Sequence, residues 1–132
     1  MIFWTEQSSL SNPSEDKLRA TIANETIDDG WIGQLEVSKR HYLHTMAFER
    51  PDGNLGFYLE LRGPDPDNWF EGIPPNREKV ILDRPWWQFW GKDIAVYLFE
   101  KSEMTEAFSQ FLEDQTQPRI ARWSEISPSY HD

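Results

Sequence analysis

His41 and His44 form an H-x-x-H pair, the only grouping in the sequence with the look of a metal motif. On a helix, a spacing of three puts both rings on one face; on a strand it puts them on opposite faces, where no ion reaches both. The run His41–Glu49 is aromatic and β-favouring, so a strand is expected and a metal site is not. His44 is expected in or near the core, with His41 exposed. The chain has no cysteine, which removes thiolate ligands and disulfides. Neither a phosphate-binding glycine loop nor a nucleophile elbow occurs. Carboxylates are plentiful, 23 in all. Asp65, Asp67 and Glu71 surround Trp69, a pattern a sugar site could use, with the ring for stacking and the acids for hydrogen bonds. A solvated acidic loop has the same composition. No catalytic residue, metal ligand or cofactor is assigned.

Tryptophan is the anomaly. Seven occur in 132 residues, and Trp86, Trp87 and Trp90 crowd with Phe89 into RPWWQFWGKD. These rings cannot all enter one small core from so short a stretch. Either some plug an open end of a sheet and the others lie flat on neighbours, or they form a binding surface of rigid anchors. Charge bears on the choice. There are 13 basic residues against the 23 acids, a formal net charge of −10. That opposes nucleic acid and anionic lipid as partners and favours a basic protein. Two surfaces combine acids suitably. One is the loop Asp65, Asp67, Trp69, Glu71 together with Trp86, Trp87 and Trp90; the other is an acidic helix face with Glu103 and Glu106. The loop has both charge and anchors and is expected to dominate partner binding.

The elements that position these residues follow from periodicity. Lys17–Ala23 reads as a short helix capped by Ser14, within a polar, loosely docked N-terminal segment, residues 1–27. Gly30–Ser38 reads as a second helix, with Trp31, Ile32 and Leu35 on one face. His41–Glu49 and Leu55–Leu61 flank the turn sequence Arg50-Pro51-Asp52-Gly53-Asn54 and form a hairpin. Leu55, Phe57, Leu59 and Leu61 face one way, Tyr58 and Glu60 the other; Tyr42, His44, Met46 and Phe48 oppose Leu43, Thr45 and Ala47. Residues 62–77, with four prolines and two glycines, read as a loop. Glu78–Asp83 and the doubly apolar Ile94–Phe99 read as strands, the latter central. Ser102 caps a helix whose stripe is Met104, Ala107, Phe108, Phe111 and Leu112, ended by Pro118. Arg119–Trp123 reads as a last strand before a polar tail, residues 124–132.

The length suits one domain, residues 1–132, able to bury a real core. The hairpin requires antiparallel pairing, so the class is α+β: an antiparallel sheet of four to five strands with one or two helices packed on it. MIFWTEQSSL lacks the cationic start of a signal peptide and no apolar run is long enough to span a bilayer, so a cytoplasmic protein is expected.

The order Gly30–Val37, the hairpin, VYLFEKSEMTEAFSQFLED and the terminal RWSEI with Trp123 resembles the immunity proteins that neutralise bacterial toxins of contact-dependent growth inhibition. The resemblance spans roughly residues 30–126. It implies a cytoplasmic antitoxin, not an enzyme, that binds a basic nuclease toxin domain one to one. A carbohydrate-binding module using exposed tryptophans is the alternative from another class. A small enzyme built on scattered acids and histidines, and an adaptor or phage-encoded inhibitor with a different protein target, are further readings.

Overall fold

The structure is a computed structural model that describes residues 1–65, 67–82 and 94–126. Its frame is a seven-stranded antiparallel sheet with the strands β1 (Ile2–Thr5), β2 (Ser9–Ser11), β3 (Ile32–Ser38), β4 (His41–Glu49), β5 (Leu55–Arg62), β6 (Trp69–Ile73) and β9 (Arg122–Ile126). They lie side by side as β2-β1-β3-β4-β5-β6-β9. Two helices, α1 (Glu15–Asn24) and α2 (Lys101–Asp114), cover one face. A separate hairpin, β7 (Val80–Leu82) with β8 (Ile94–Val96), packs on the other. The class is α+β, with seven strands in the main sheet where four to five were expected.

The β4–β5 hairpin follows the alternation of its residues. Leu43, Thr45, Ala47, Phe57, Leu59 and Leu61 are buried on the helix side. The turn closes through the Arg50 N–H bond to the Asn54 carbonyl, 2.7 Å, and Gly53 takes φ of +89°, a conformation that L side chains resist. The α2 stripe completes the core: Met104, Ala107, Phe108 and Phe111 are fully buried. Phe108 meets Phe3 edge-on at 5.6 Å, and Phe111 meets His41 at 5.4 Å.

Several expectations are corrected. Residues 32–38 form a strand, not a helix. Gly33 and Leu35 face the helices while Gln34 and Glu36 face away. The glycine is required, because a Cβ there would lie 2.9 Å from the Trp31 ring. Residues 1–27 are not loosely docked: Phe3 and Leu18 and Ile22 of α1 are fully buried. The α1 cap is Ser14, as its sequence indicates. The proline-rich stretch contains β6, because five residues between its Gly-Pro and Pro-Pro breaks suffice to pair with β5 and β9. Ile94–Phe99 is not a central strand: only Ile94–Val96 pairs, with β7, and Phe99 then bridges to Phe57. The β7 strand is shorter than expected, Val80–Leu82, and β9 runs to Ile126, so the polar tail begins beyond it. At α2 the cap is Glu100, whose carboxylate and that of Glu103 form a reciprocal capping box, so Ser102 lies inside the helix.

Candidate functional site

Strand pairing across the face away from the helices lines side chains up in rows. One row reads Trp4, Gln34, His44, Glu60, Glu71, Ser124; its neighbour reads Ile2, Glu36, Tyr42, Arg62, Trp69, Ile126. Phe48, Met46 and Tyr58 lie beyond the first row, where Leu82, Val96 and Leu98 of the β7–β8 region pack against Phe48 and Tyr58. Between the hairpin and the sheet lies a cleft of about 590 Å³. Its floor is His44, Met46, Tyr58, Glu60 and Glu71, and its sides include Phe48, Lys79, Val96 and Ile126. The volume is that of a small-ligand pocket.

Hydrogen bonds hold the polar row in a defined order. The Glu36 carboxylate accepts from the Trp4 indole at 2.9 Å and from the Gln34 amide at 2.6 Å. With its NH2 so committed, Gln34 turns its oxygen to His44 Nδ1, 2.8 Å away. Nδ1 therefore carries the proton and donates it, which fixes the ring's orientation. The Tyr58 hydroxyl donates to Glu60 at 3.1 Å. Arg62 stacks on the Trp69 ring, 4.3 Å from its centroid, while Tyr42 meets that ring edge-on.

Electrostatics single out two carboxyls. Burial pushes Glu60 up to about 7, with the cross-strand neighbour Glu71 adding repulsion and Tyr58 working the other way. Burial also raises Glu71, countered by Lys79. Burial thus disfavours negative charge on both acids. Burial likewise raises the Tyr42 phenol, against its bond to Arg62.

The residues expected to bind a partner do not all come together. Trp69 and Glu71 reach the sheet face away from the helices, on a strand and not a loop. Asp65 and Asp67 are exposed beyond the β5–β6 end, where Asp65 accepts the Asp67 N–H at 3.1 Å in a tight turn. Asp65 there lines a shallow hollow with Phe70, Thr116 and Gln117, away from the cleft. Trp86, Trp87 and Trp90 lie outside the described residues. The helix pair is already engaged. Glu103 forms a two-pronged bond with Arg77, and Glu106 pairs with Arg19 at 2.6 Å. Burial works against the Glu103 charge, but Arg77 and the Glu100 N–H outweigh it and hold the carboxyl below the usual range.

His41 and His44 do lie on opposite sides of β4. Both are half-buried: His41 against Phe111, where exposure was expected, and His44 in the cleft on the face away from the main core. Among the described residues no cluster of three or more histidines and acids is placed to hold a metal. Nor is any helix among them long and apolar enough to cross a membrane. Sequence reasoning passed over Glu60, Tyr58 and Lys79, although the alternation along Leu55–Leu61 had already put Tyr58 and Glu60 together on the face away from the leucines. A scan against protein-family models finds no match, and a search of curated proteins finds none either.

Proposed function

We propose that this chain is a cytoplasmic immunity protein, a non-enzymatic inhibitor that binds the basic nuclease domain of a cognate toxin one to one. The observation that carries the reading is the sheet face away from the helices, where Glu36, Glu60 and Glu71 stand among Trp4, Tyr42, Phe48, Tyr58 and Trp69. Nucleases carry cationic clefts for their substrate, and an acidic surface with rigid rings complements them in charge and in desolvated area. The net charge of −10 supports rapid, steered encounter.

The sugar-binding alternative needs exposed rings. All four described tryptophans are buried or half-buried, and Trp4, Trp31 and Trp123 have their indole N–H groups bonded within the protein. That favours the inhibitor.

Co-expression with the product of the adjoining reading frame tests the proposal. The expected result is a one-to-one complex with a basic nuclease domain, loss of its nuclease activity, and an association rate that falls steeply with added salt. A neighbouring product that is no toxin, or a toxin unaffected by this protein, refutes it.

A further inference from the structure

The main sheet ends on two edges that are built differently. β2, at one end, has three residues and runs into Asn12, at φ of +47°, and Pro13, which has no N–H to give a ladder. So short an edge is a poor template for another strand. β9, at the other end, has five residues, RWSEI, all in unshifted register with β6 and none of them proline. Among the described residues no strand lies on its outer side. In an antiparallel ladder the N–H and C=O groups of alternate residues point away from the partner, so β9 presents donors and acceptors along that side.

Side chains give this edge its chemistry. Trp123 packs toward the helix-side core and donates its indole N–H to the Pro118 carbonyl at 2.8 Å, which fixes the ring. Glu125, two residues on, shares that side and is exposed. On the opposite side, Ser124 lies across from Glu71, and Arg122 is exposed.

We propose that β9 accepts an extended segment of the basic partner as a further, antiparallel strand of the sheet, with basic residues across from Glu125 and Ser124 and an apolar residue across from Trp123. The proposal rests on the inhibitor reading and gives it a point of attachment. Backbone bonds supply the affinity of such strand addition, and side chains set its register. Charge selects the occupant. A residue across from Glu125 is its direct cross-strand neighbour, where opposite charges attract and like charges repel. A residue across from Ser124 stands two strand spacings, about 10 Å, from Glu71, with only a serine between, and a long basic side chain covers that gap together with the glutamate. Glu125 is the stronger contact, because Lys79 already attracts Glu71. Arg122 favours an acid across from it. The incoming strand thus reads basic, basic, apolar, acidic from its N-terminal end. A second copy of this chain fits worse. Pairing β9 with itself about Ser124 sets Glu125 across from Trp123 and Arg122 across from Ile126, so no opposite charges meet, and each chain carries −10.

The test uses the full 15N-labelled chain and a defined probe, the acetylated hexapeptide amide TKKVET, beside its charge-reversed counterpart TEEVKT. Two further probes are TKKVET methylated on the amide nitrogens of its second and fourth residues, and of its third and fifth. The expected result is saturable shifts centred on Arg122–Ile126 with slowed amide exchange there, and binding of TEEVKT weaker by about fivefold or more. One methylated peptide should lose binding and the other keep it, because only alternate amides face β9. Glu125→Lys, at an exposed position, should weaken TKKVET about fivefold and improve TEEVKT. Equal binding of the two charge patterns, equal loss with both methylated peptides, or no saturable shift on β9 overturns the proposal. Protection of β9 that rises with protein concentration and without peptide also overturns it, in favour of a second copy. A toxin inhibited by the wild type and by the Glu125→Lys protein alike, with β9 amides unprotected in the complex, overturns it while the inhibitor reading stands. Strand addition of TKKVET with no nuclease partner has the opposite meaning: the edge site stands and the inhibitor reading falls.

Discussion

The two faces of the main sheet are made by the same strands and differ in almost every other respect. Toward the helices, Phe3, Leu35, Leu43, Leu59 and Leu61 are sealed under Phe108 and Phe111. Toward the hairpin, the residues between them in sequence are Trp4, Gln34, Glu36, His44 and Glu60, a polar row partly removed from water. A sheet with one solvated face normally presents loosely ordered polar side chains there. Here the row is bonded from Trp4 through Glu36 and Gln34 to His44, and it holds carboxyls whose charge is disfavoured. Stability is concentrated on the first face, while the second holds polar and acidic groups in a fixed order.

The contrast is broken most severely from the covered side. Phe108→Ala removes a fully buried ring from the contact between α2 and Phe3 and should cost about 3–5 kcal/mol, read in a urea melt. Overlap of the variant's melt with the wild type would show that the helix face is not where stability resides.

On the face away from the helices, Glu60→Gln should have the opposite sign. The Glu60 carboxyl ionises near 7 in the folded protein and near its ordinary value in the unfolded chain. Between those points the unfolded state gives up its proton first, so stability falls as pH rises from about 4.5 to about 7 and then levels off. The full span is on the order of 3 kcal/mol. The amide introduced by the substitution, always neutral and able to accept the Tyr58 hydroxyl bond, should flatten that descent. Denaturant melts at pH 5 and pH 8 measure it, and an unchanged difference between them would mean that Glu60 carries no such strain.

Smaller effects sharpen the comparison at the rim. Glu100→Ala removes half of the capping box and the 3.0 Å pair with Arg50, and should lower stability by about 1 kcal/mol in the same melts. Arg77→Ala should cost less, about 0.5 kcal/mol, because the pair with Glu103 lies at the surface and is screened.

The sequence carried the helix-covered face well and the opposite one poorly, for a physical reason. Leu43, Thr45, Ala47, Phe57, Leu59 and Leu61 announce a buried side by alternation, and Met104, Ala107, Phe108 and Phe111 by helical spacing. The strand at 32–38 was obscured because Trp31, Ile32 and Leu35 also satisfy a helical period, and only the fit of the Trp31 ring over Gly33 decides between them. β6 was hidden by flanking prolines. The cleft was not legible, because it depends on cross-strand register: Glu60 and Glu71 are eleven residues apart and become neighbours only when β5 and β6 pair. The expected partner surface is divided for the same cause, since pairing carries Trp69 and Glu71 onto the sheet and leaves Asp65 and Asp67 beyond the strand ends.

The edge strand β9 bears on the order in which the molecule assembles. Strands β3 to β6 follow one another along the chain, whereas β9 reaches β6 only after 48 intervening residues, against five in the turn between β4 and β5. Loop closure over the longer span costs about 2 kcal/mol more in chain entropy before any of that chain is ordered. The meander should therefore form early, and β9 should dock once α2 has shortened the path. Native-state hydrogen exchange should show Arg122–Ile126 opening at far lower free energy than Leu43–Ala47, and equal protection of the two would mean that β9 belongs to the same cooperative unit as the hairpin.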